Sequence, residues 1–229
     1  FIPTIAAKPE IPKNNFEHKL PHFPLLSHLK LQVIRATGLQ GAAIHACKYA
    51  SALQKACELG INPFIEFRLL PDEFGAEFTA TTPVMAKTFT PVWNFEKELN
   101  FEMSSEIFHH FASNSLTLKF YHRFSKVDSM AYKLSDRNLQ IGEATIALAP
   151  LVAPDPVRSI HTWFNIYSND SVNVGAVQVE LSFDKDTVRA ITKLKELIDG
   201  IPGSSAQQRE NTVIVKKSDI VELPYGVCR

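Results

Sequence analysis

Apolar and polar residues alternate along most of the chain with the period of two that half-buried β-strands show. Turn or loop signals separate most of these segments. We predict eight strands, at residues 29–33, 64–69, 84–89, 93–99, 116–120, 141–146, 163–166 and 176–183. Eight short strands at this spacing predict an all-β, antiparallel β-sandwich, and sixteen phenylalanines supply bulky side chains for its core.

Two segments depart from this pattern and repeat with the period of a helix. Between residues 41 and 60, positions 46, 50, 53 and 57 are apolar, at spacings of four, three and four. This spacing predicts an amphipathic helix inserted in the connection between the first two strands. A second stripe at positions 188, 191, 194 and 198 predicts a helix behind the last strand, which Gly200 and Pro202 end.

These elements divide the chain into four parts. Residues 1–28 are predicted to form an extended lead-in, because they contain five prolines and their apolar residues show no periodicity. The sandwich domain spans 29–183, a helical extension 184–201, and a linker or flexible tail 202–229. The sequence starts with Phe1 and shows no signal-peptide pattern, so we expect it to be part of a larger intracellular protein.

The overall charge narrows the classes of partner. Lys+Arg and Asp+Glu number 24 each among 229 residues, so the formal net charge is zero. Nucleic-acid-binding domains usually have a basic excess, so we predict no nucleic-acid partner. No apolar run approaches the roughly 20 residues needed to span a bilayer, so we predict no transmembrane segment. The three cysteines are few and odd in number, which favours a reducing compartment such as the cytoplasm.

The sequence offers no recognisable catalytic or cofactor motif. A nucleophile elbow, a metalloprotease helix, a phosphate-binding glycine loop and a dinucleotide fingerprint are all absent. His45, Cys47 and Cys57 lie close together, but zinc needs four ligands and no second pair accompanies them. We interpret the two cysteines as small core residues of the inserted helix and the imidazole as a surface group. We therefore predict a protein that is not an enzyme and that uses no metal or cofactor.

Four short motifs, in the same order, resemble those of the C2 domain, an eight-stranded β-sandwich first associated with calcium-dependent lipid binding. Residues 31–39 resemble the opening strand and turn of that family, and residues 60–67 resemble its second strand. Residues 87–94 resemble its Lys-Thr-x-x-Pro-x-Trp-Asn signature, and residues 141–142 supply the Ile-Gly pair that follows its third loop. The last strand follows Trp163 instead of preceding the first strand, and by resemblance this order implies the phospholipase-like topology.

The resemblance also implies where calcium ligands would lie, and the matching positions are poor in carboxylates. They hold Asn62, Phe120, His122 and Asp128, of which only Asp128 matches the acidic pattern of the family. Calcium needs six to eight oxygen ligands, several of them carboxylates. The resemblance therefore implies a C2 domain of the calcium-independent type, although Asp136 in the same loop keeps a rearranged, weak site open.

The inserted helix and the Glu-Leu-Gly-Ile-Asn-Pro junction at residues 58–63 resemble one branch of the family, that of centriolar C2-domain-containing scaffold proteins. That branch is linked to centriole elongation and distal appendages. The resemblance implies a protein-interaction module of a larger scaffold in the cytoplasm and cytoskeleton, at the centriole or ciliary base, with a role in centriole assembly or ciliogenesis. Its partners would be other scaffold proteins.

Two surfaces are candidates for binding. The protein-binding candidate combines the inserted helix with the start of the third loop, through Lys48, Tyr49, Lys55, Arg123, Phe124 and Lys126. The alternative is a calcium-independent peripheral module that binds anionic lipid such as phosphoinositide. Its candidate residues are Arg68, Lys87, Lys97 and Lys119, provided that they lie on neighbouring strands. Glutamates interleave with these bases, so a solvated face with cross-strand ion pairs is the simpler interpretation.

Overall fold

The computed structural model describes residues 26–48, 50–71, 74, 78–153 and 156–199. The predicted tail at residues 202–229 lies outside these ranges, as do the first 25 residues of the predicted lead-in. The first strand begins at Leu26, so the last three residues of the predicted lead-in belong to the sandwich.

Eight strands run antiparallel to their neighbours in the order β3-β2-β5-β6-β7-β8-β1-β4. The strands are β1 Leu26–Thr37, β2 Pro63–Arg68, β3 Thr79–Thr81, β4 Val92–Glu102, β5 Ser115–Arg123, β6 Asn138–Ala147, β7 Ser159–Tyr167 and β8 Asn173–Phe183. Strands β6 and β7 meet only where Glu143 pairs with Tyr167. The sheet therefore divides at this point into a first half, β3-β2-β5-β6, and a second half, β7-β8-β1-β4.

The core lies between these two halves. Along β1, residues 27, 29, 31 and 33 are buried while their neighbours are partly or fully exposed, as the period of two requires. Aromatic rings from opposite halves meet across the core: Phe67 lies 6.4 Å from Phe95, and Phe120 lies 6.5 Å from Trp93. The Trp93 indole N–H donates to the carbonyl of Pro83 at 3.0 Å, which gives this large buried ring a partner for its polar atom. The predicted all-β, eight-stranded antiparallel sandwich is confirmed.

The strand order also confirms the predicted topology. The last strand, β8, lies between β7 and β1 and pairs with both. Position 29 of β1 faces Phe183, and Thr37 faces Ala176, so the two strands are paired over nearly their whole length. The strand beside β1 in this half is thus supplied from the end of the sandwich and not from a segment before β1.

The third predicted strand, at residues 84–89, is wrong. The third strand of the sheet is Thr79–Thr81, and within 84–89 only Thr88 makes a β-bridge, to Ile61. Pro83 carries no N–H to donate to a ladder, and Lys87 has a φ of +48°, which turns the backbone out of the extended conformation. The alternation at 84–89 is therefore that of a partly exposed connection.

The inserted helical segment is present, but it is broken into pieces. Helix α1 spans Leu39–Cys47, a 3-10 turn spans Ser51–Leu53, and helix α2 spans Gln54–Leu59. Extended backbone at Ala50, with φ −141° and ψ 92°, separates them. The predicted single helix is wrong because its apolar stripe crosses this break. The residues that anchor the segment in the core are Leu39, Ala42, Ala43, Ala52 and Leu53.

The reversal between α1 and α2 brings Cys47 and Cys57 together, and a disulfide joins them. The interpretation of both cysteines as small core residues of one inserted helix is therefore wrong, and so is the use of the cysteine count as a sign of a reducing compartment. Both side chains are half-buried and pack against the edge of the core. Because α2 has no fully buried residue of its own, the disulfide fastens it to the better anchored α1.

The opposite end of the sandwich is closed by helices. Helix α3, Ser105–Ser113, buries Ile107, Phe108 and Phe111. The predicted helix behind the last strand is α5, Lys185–Asp199, and it packs on the start of β1 with Ile191 only 1% exposed. The carboxylate of Asp184 accepts from the Thr187 N–H at 2.7 Å, and Thr187 Oγ1 accepts from the His28 N–H at 2.9 Å. Hydrogen bonds from the Thr187 side chain, and then from its backbone N–H, hold the pKa of Asp184 below its ordinary value.

Candidate functional site

Four connections meet at the end of the sandwich away from α3 and α5, and we call them together the loop rim. They are residues 38–62, 82–91, 124–137 and 168–172. The first two are in contact at Gly60, where a Cβ built on the backbone, with its φ of +99°, would lie 2.5 Å from the Lys87 carbonyl carbon. Only glycine fits such a contact, so this residue brings the inserted segment against the second connection.

Asn62 joins the first connection of the loop rim to the second connection and to the end of β5 through hydrogen bonds. Its Oδ1 accepts from the Lys87 N–H at 3.0 Å, and its Nδ2 donates to the Arg123 carbonyl at 2.9 Å. Its backbone N–H donates to His122 Nδ1 at 3.0 Å. The side chain at this family ligand position is thus engaged with the protein itself.

Phe120 and His122 turn into the sandwich. Phe120 is fully buried against Trp93. His122 is 3% exposed, and its ring meets the edge of Phe124 at 4.6 Å. Burial lowers the pKa of His122 to about 4, a shift that the charge of Asp128 opposes. His122 is therefore neutral at physiological pH, and its Nδ1 lone pair is occupied by the Asn62 N–H.

The acidic residues of the third connection serve its local structure. Ser125 Oγ accepts from the Asp128 N–H at 3.0 Å and lies 2.6 Å from Asp128 Oδ2, so the two side chains cap helix α4, Lys126–Ala131. Asp136 Oδ1 accepts from the Asn138 N–H at 2.9 Å. Within the described ranges, no three His, Cys, Asp or Glu residues are grouped so that they could hold a metal ion.

The candidates for protein binding differ in exposure. Lys48, Lys55 and Lys126 are exposed, whereas Tyr49 lies outside the described residues. The guanidinium of Arg123 lies 4.6 Å from the centre of the Phe64 ring and donates to Asn138 Oδ1 at 3.0 Å. Phe124 is 4% exposed and belongs to the core. Lys48, Lys55 and Lys126 therefore face solvent, while Phe124 does not.

The four candidates for lipid binding do not share one face. Arg68 and Lys119 lie on the outer face of the first half, where Lys119 is flanked by Glu66 on β2 and Glu143 on β6. Two directly opposed carboxylates balance its charge. The other two candidates lie elsewhere: Lys97 is on the edge strand β4, on the same side as buried Leu31, and Lys87 is in the second connection.

Sequence reasoning missed the apolar character of the loop rim. Of the exposed large hydrophobic residues in the described chain, most lie here: Ile44, Leu59, Val84, Val127, Met130, Tyr132 and Val172. Val127 and Met130, on α4, are 75% and 79% exposed. Their spacing of three is the only signal in the sequence, and it becomes readable once the Ser-x-x-Asp cap of α4 is recognised. The rim also holds six Lys or Arg residues against four Asp or Glu.

His45 connects the inserted segment to the turn between β7 and β8. Its Nε2 lies 3.4 Å from Asp170 Oδ2, and its side chain is largely buried. A cavity of about 90 Å³ lies beside this pair, and its polar lining comes from His45, Gln140, Ser168 and Asn169. The imidazole that the sequence placed on the surface is therefore a structural contact between two connections of the rim.

Solved structures that resemble this chain carry C2 domains. CC2D1B, described as coordinating ESCRT-III activity during the mitotic reformation of the nuclear envelope, matches with a TM-score of 0.50 and 16% identity, over 74% of this chain and 60% of that chain. The first C2 domain of plant extended synaptotagmin 1 matches with a TM-score of 0.44 and 18% identity, over 71% and 96%. The paired C2 domains of extended synaptotagmin 2 match with a TM-score of 0.46 and 15% identity, over 80% and 47%.

No protein-family model matches the sequence, and no curated protein is significantly similar to it. The strand order, the closed core and the likeness to CC2D1B together assign the fold, a C2-type β-sandwich. No helix in the described part of the chain is both long and apolar enough to cross a membrane.

Proposed function

We propose that this chain is a non-catalytic, calcium-independent C2 domain that acts as a protein-interaction module of a larger scaffold at the centriole or ciliary base. The centriolar part of the proposal is supported by the sequence resemblance of the inserted segment and of residues 58–63. Its partners are other scaffold proteins of the cytoplasm and cytoskeleton, and its role lies in centriole assembly or elongation and in ciliogenesis.

The way the four family ligand positions are used carries the calcium-independent part of the proposal. Phe120 is in the core, His122 and Asn62 are engaged with each other, and Asp128 caps a helix. A calcium ion loses its hydration shell on binding and needs several carboxylates to replace it. One capping carboxylate does not provide that replacement.

The loop rim is the docking surface that the geometry supports best. It combines the exposed lysines 48, 55 and 126 with the exposed apolar side chains of Val127 and Met130. Exposed apolar residues framed by charges are typical of protein interfaces. The bases favour a partner surface that carries carboxylates.

Two measurements test this proposal. Calorimetric titration with calcium is expected to give no saturable heat up to millimolar concentration, and a saturable signal contradicts calcium independence. Recruitment of the tagged chain to centrioles is expected to fall in V127D/M130D. Leu26→Asp is the matched control, because Leu26 is also 75% exposed but lies at the far end of the sandwich. Equal recruitment of a folded V127D/M130D protein rejects the loop rim as the docking surface.

Anionic membrane is the second candidate, and the net basic charge of the loop rim is the observation that favours it. Each lysine near an anionic surface contributes about 1 kcal/mol. Co-sedimentation with phosphatidylcholine vesicles containing phosphatidylserine and phosphoinositide is then expected to weaken with salt and in K126E/K133E. The matched control, Lys193→Glu on α5, is expected to bind as wild type. Absence of binding at low salt removes this candidate.

A further inference from the structure

A second surface lies on the outer face of the second half, and its residues form lateral rows across all four strands. The strand register places Val92, Arg35, Gln178 and Trp163 side by side, on β4, β1, β8 and β7 in that order. The next row on the same outer face, further from the loop rim, contains Glu96, Gln32, Glu180 and His161. We call these eight residues the Trp163 face.

Trp163 is held in place by its neighbours while its ring stays accessible. The Arg35 guanidinium lies 5.3 Å from the ring centre, and Arg35 Nε donates to Gln178 Oε1 at 2.9 Å. The Trp163 side chain is nevertheless 42% exposed, as is that of Tyr167, which projects from the same side of β7. Large aromatic side chains held in one conformation bind partners with little loss of entropy, and tryptophan is frequent among the residues that dominate binding energy.

The outward side of this half is acidic, in contrast to the loop rim. Its strands present four glutamates, at positions 96, 98, 102 and 180, against Lys30 and Arg35. Lys30 Nζ already binds Glu96 Oε2 at 2.6 Å, and Arg35 is engaged with Trp163 and Gln178. The neighbouring glutamates raise the pKa of Lys30, Glu96 foremost through its hydrogen bond, as a negative field requires. The face therefore attracts additional positive charge.

The spacing of the acidic residues suits an extended chain that crosses the strands. Glu180 on β8 and Glu96 on β4 are separated by one intervening strand, hence by about 9.6 Å at the usual strand spacing of about 4.8 Å. A segment in the extended polyproline II conformation has three residues per turn and rises about 3.1 Å per residue, so side chains three positions apart point to the same side and lie about 9.3 Å apart. Basic side chains three positions apart can thus meet both carboxylates, and a further cation can stack on the open side of Trp163.

We propose that the Trp163 face binds a lysine- or arginine-rich extended segment of a partner protein. This surface is separate from the loop rim, so the proposal goes beyond the function proposed above and does not rest on it. Charge complementarity selects this occupant: an anionic lipid surface is repelled by the glutamates, and a second copy of the same face meets its own charges.

Intrinsic fluorescence provides a direct test, because the chain has only two tryptophans. Trp93 is 9% exposed and in the core, so an octalysine peptide added to the wild-type protein is expected to change chiefly the emission of Trp163. The change should saturate, should be absent with octaglutamate, and should vanish in W163F, which retains only Trp93. Anisotropy of a labelled octalysine then gives the affinity of each variant.

The affinity of octalysine is expected to fall at least fivefold in E96Q/E180Q and about threefold in W163A. The matched control is E66Q/E143Q, which removes two exposed glutamates from the outer face of the first half and is expected to bind as wild type. Equal affinity of E96Q/E180Q and E66Q/E143Q overturns the proposal. Dimerisation that W163A abolishes, with no octalysine binding, also overturns it and assigns the face to a second copy. Thermal unfolding confirms that each variant is folded.

Discussion

The loop rim and the Trp163 face differ in charge and in what their polar side chains do. The loop rim has a small basic excess and exposes apolar residues, whereas the Trp163 face lies on an acidic side of the sheet and exposes an aromatic ring. In the loop rim, the side chains of Asn62 and Asp128 make hydrogen bonds that hold the connections in place. On the Trp163 face, Arg35 donates a hydrogen bond to Gln178 on the neighbouring strand, but the backbones of the two strands are paired in any case.

This difference distinguishes residues whose side chains stabilise the fold from residues whose side chains are available for binding. Changes at the buried or hydrogen-bonded positions of the loop rim should lower the free energy of unfolding, because those side chains hold the connections together. Changes on the Trp163 face should lower the affinity for a partner and hardly change the free energy of unfolding, because the backbone hydrogen bonds between its strands are kept. A neutral total charge hides this division, since two oppositely charged surfaces cancel in the sum.

Introducing a carboxylate at position 120 should have the largest effect. F120D restores the residue type that the family resemblance places there, but Phe120 is fully buried against Trp93. We expect the free energy of unfolding to fall by about 4 kcal/mol or more, because the change leaves a cavity and buries an unpaired charge. Gln178→Asp on the Trp163 face should cost less than about 1 kcal/mol. Urea unfolding measures both, and equal losses contradict the distinction.

Acid should weaken the loop rim through His122. The folded-state pKa of about 4 lies below the ordinary 6.5, so the unfolded chain binds the proton first as the pH falls. The contribution is fully present above about pH 6.5 and is lost progressively as the pH falls to about 4, for a total on the order of 3 kcal/mol. Urea unfolding between pH 7.5 and 4 measures it. His122→Gln should flatten this part of the profile.

Breaking the disulfide should destabilise the inserted segment, which forms part of the loop rim. Cys47 and Cys57 close a short loop of sequence separation 10, for which chain entropy predicts a stabilisation of about 2–3 kcal/mol. C57S should therefore lower the unfolding temperature and speed proteolysis between α1 and α2. Cys228→Ser, at a position outside the described residues, is the matched control. If wild type and C57S unfold alike without reductant, the disulfide contributes nothing to stability.

The smallest effect on stability is expected at Glu180. Its carboxylate is part-exposed and lies 4.0 Å from His161 Nδ1, a contact worth at most a few tenths of a kcal/mol. E180Q should unfold within about 0.5 kcal/mol of the wild type while its affinity for octalysine falls. A large stability loss in E180Q would mean that the Trp163 face is structural, as the inner rim is.

The sequence predicts the architecture well because alternation and strand order survive in it. The period of two identifies seven of the eight strands, and the placement of the last strand follows from the order of segments together with the family resemblance. The third strand escapes, because a three-residue edge strand has too little pattern and Pro83 and Lys87 interrupt the more regular segment beside it. The break in the inserted helix at Ala50 escapes for a similar reason, since no Gly or Pro marks it.

The candidate surfaces are less readable from the sequence, because they depend on register. The row Val92, Arg35, Gln178 and Trp163 comes from four distant segments, and the β-bulge between Val33 and Arg35 decides which residue of β1 joins it. A slip of one residue would turn every one of these side chains inward. The burial of Phe124 and His122 also depends on contacts that no local sequence pattern reveals. These are the packing of the two rings against each other and the hydrogen bond from the Asn62 N–H.

The position of helix α5 has a consequence for the two proposed binding surfaces. Leu26, where β1 starts, lies at the end of the sandwich opposite the loop rim, and α5 begins there too, where the His28 N–H donates to Thr187 Oγ1. The loop rim lies at the other end and the Trp163 face on the side of the sandwich. Both proposed surfaces therefore leave the contact between β1 and α5 uncovered.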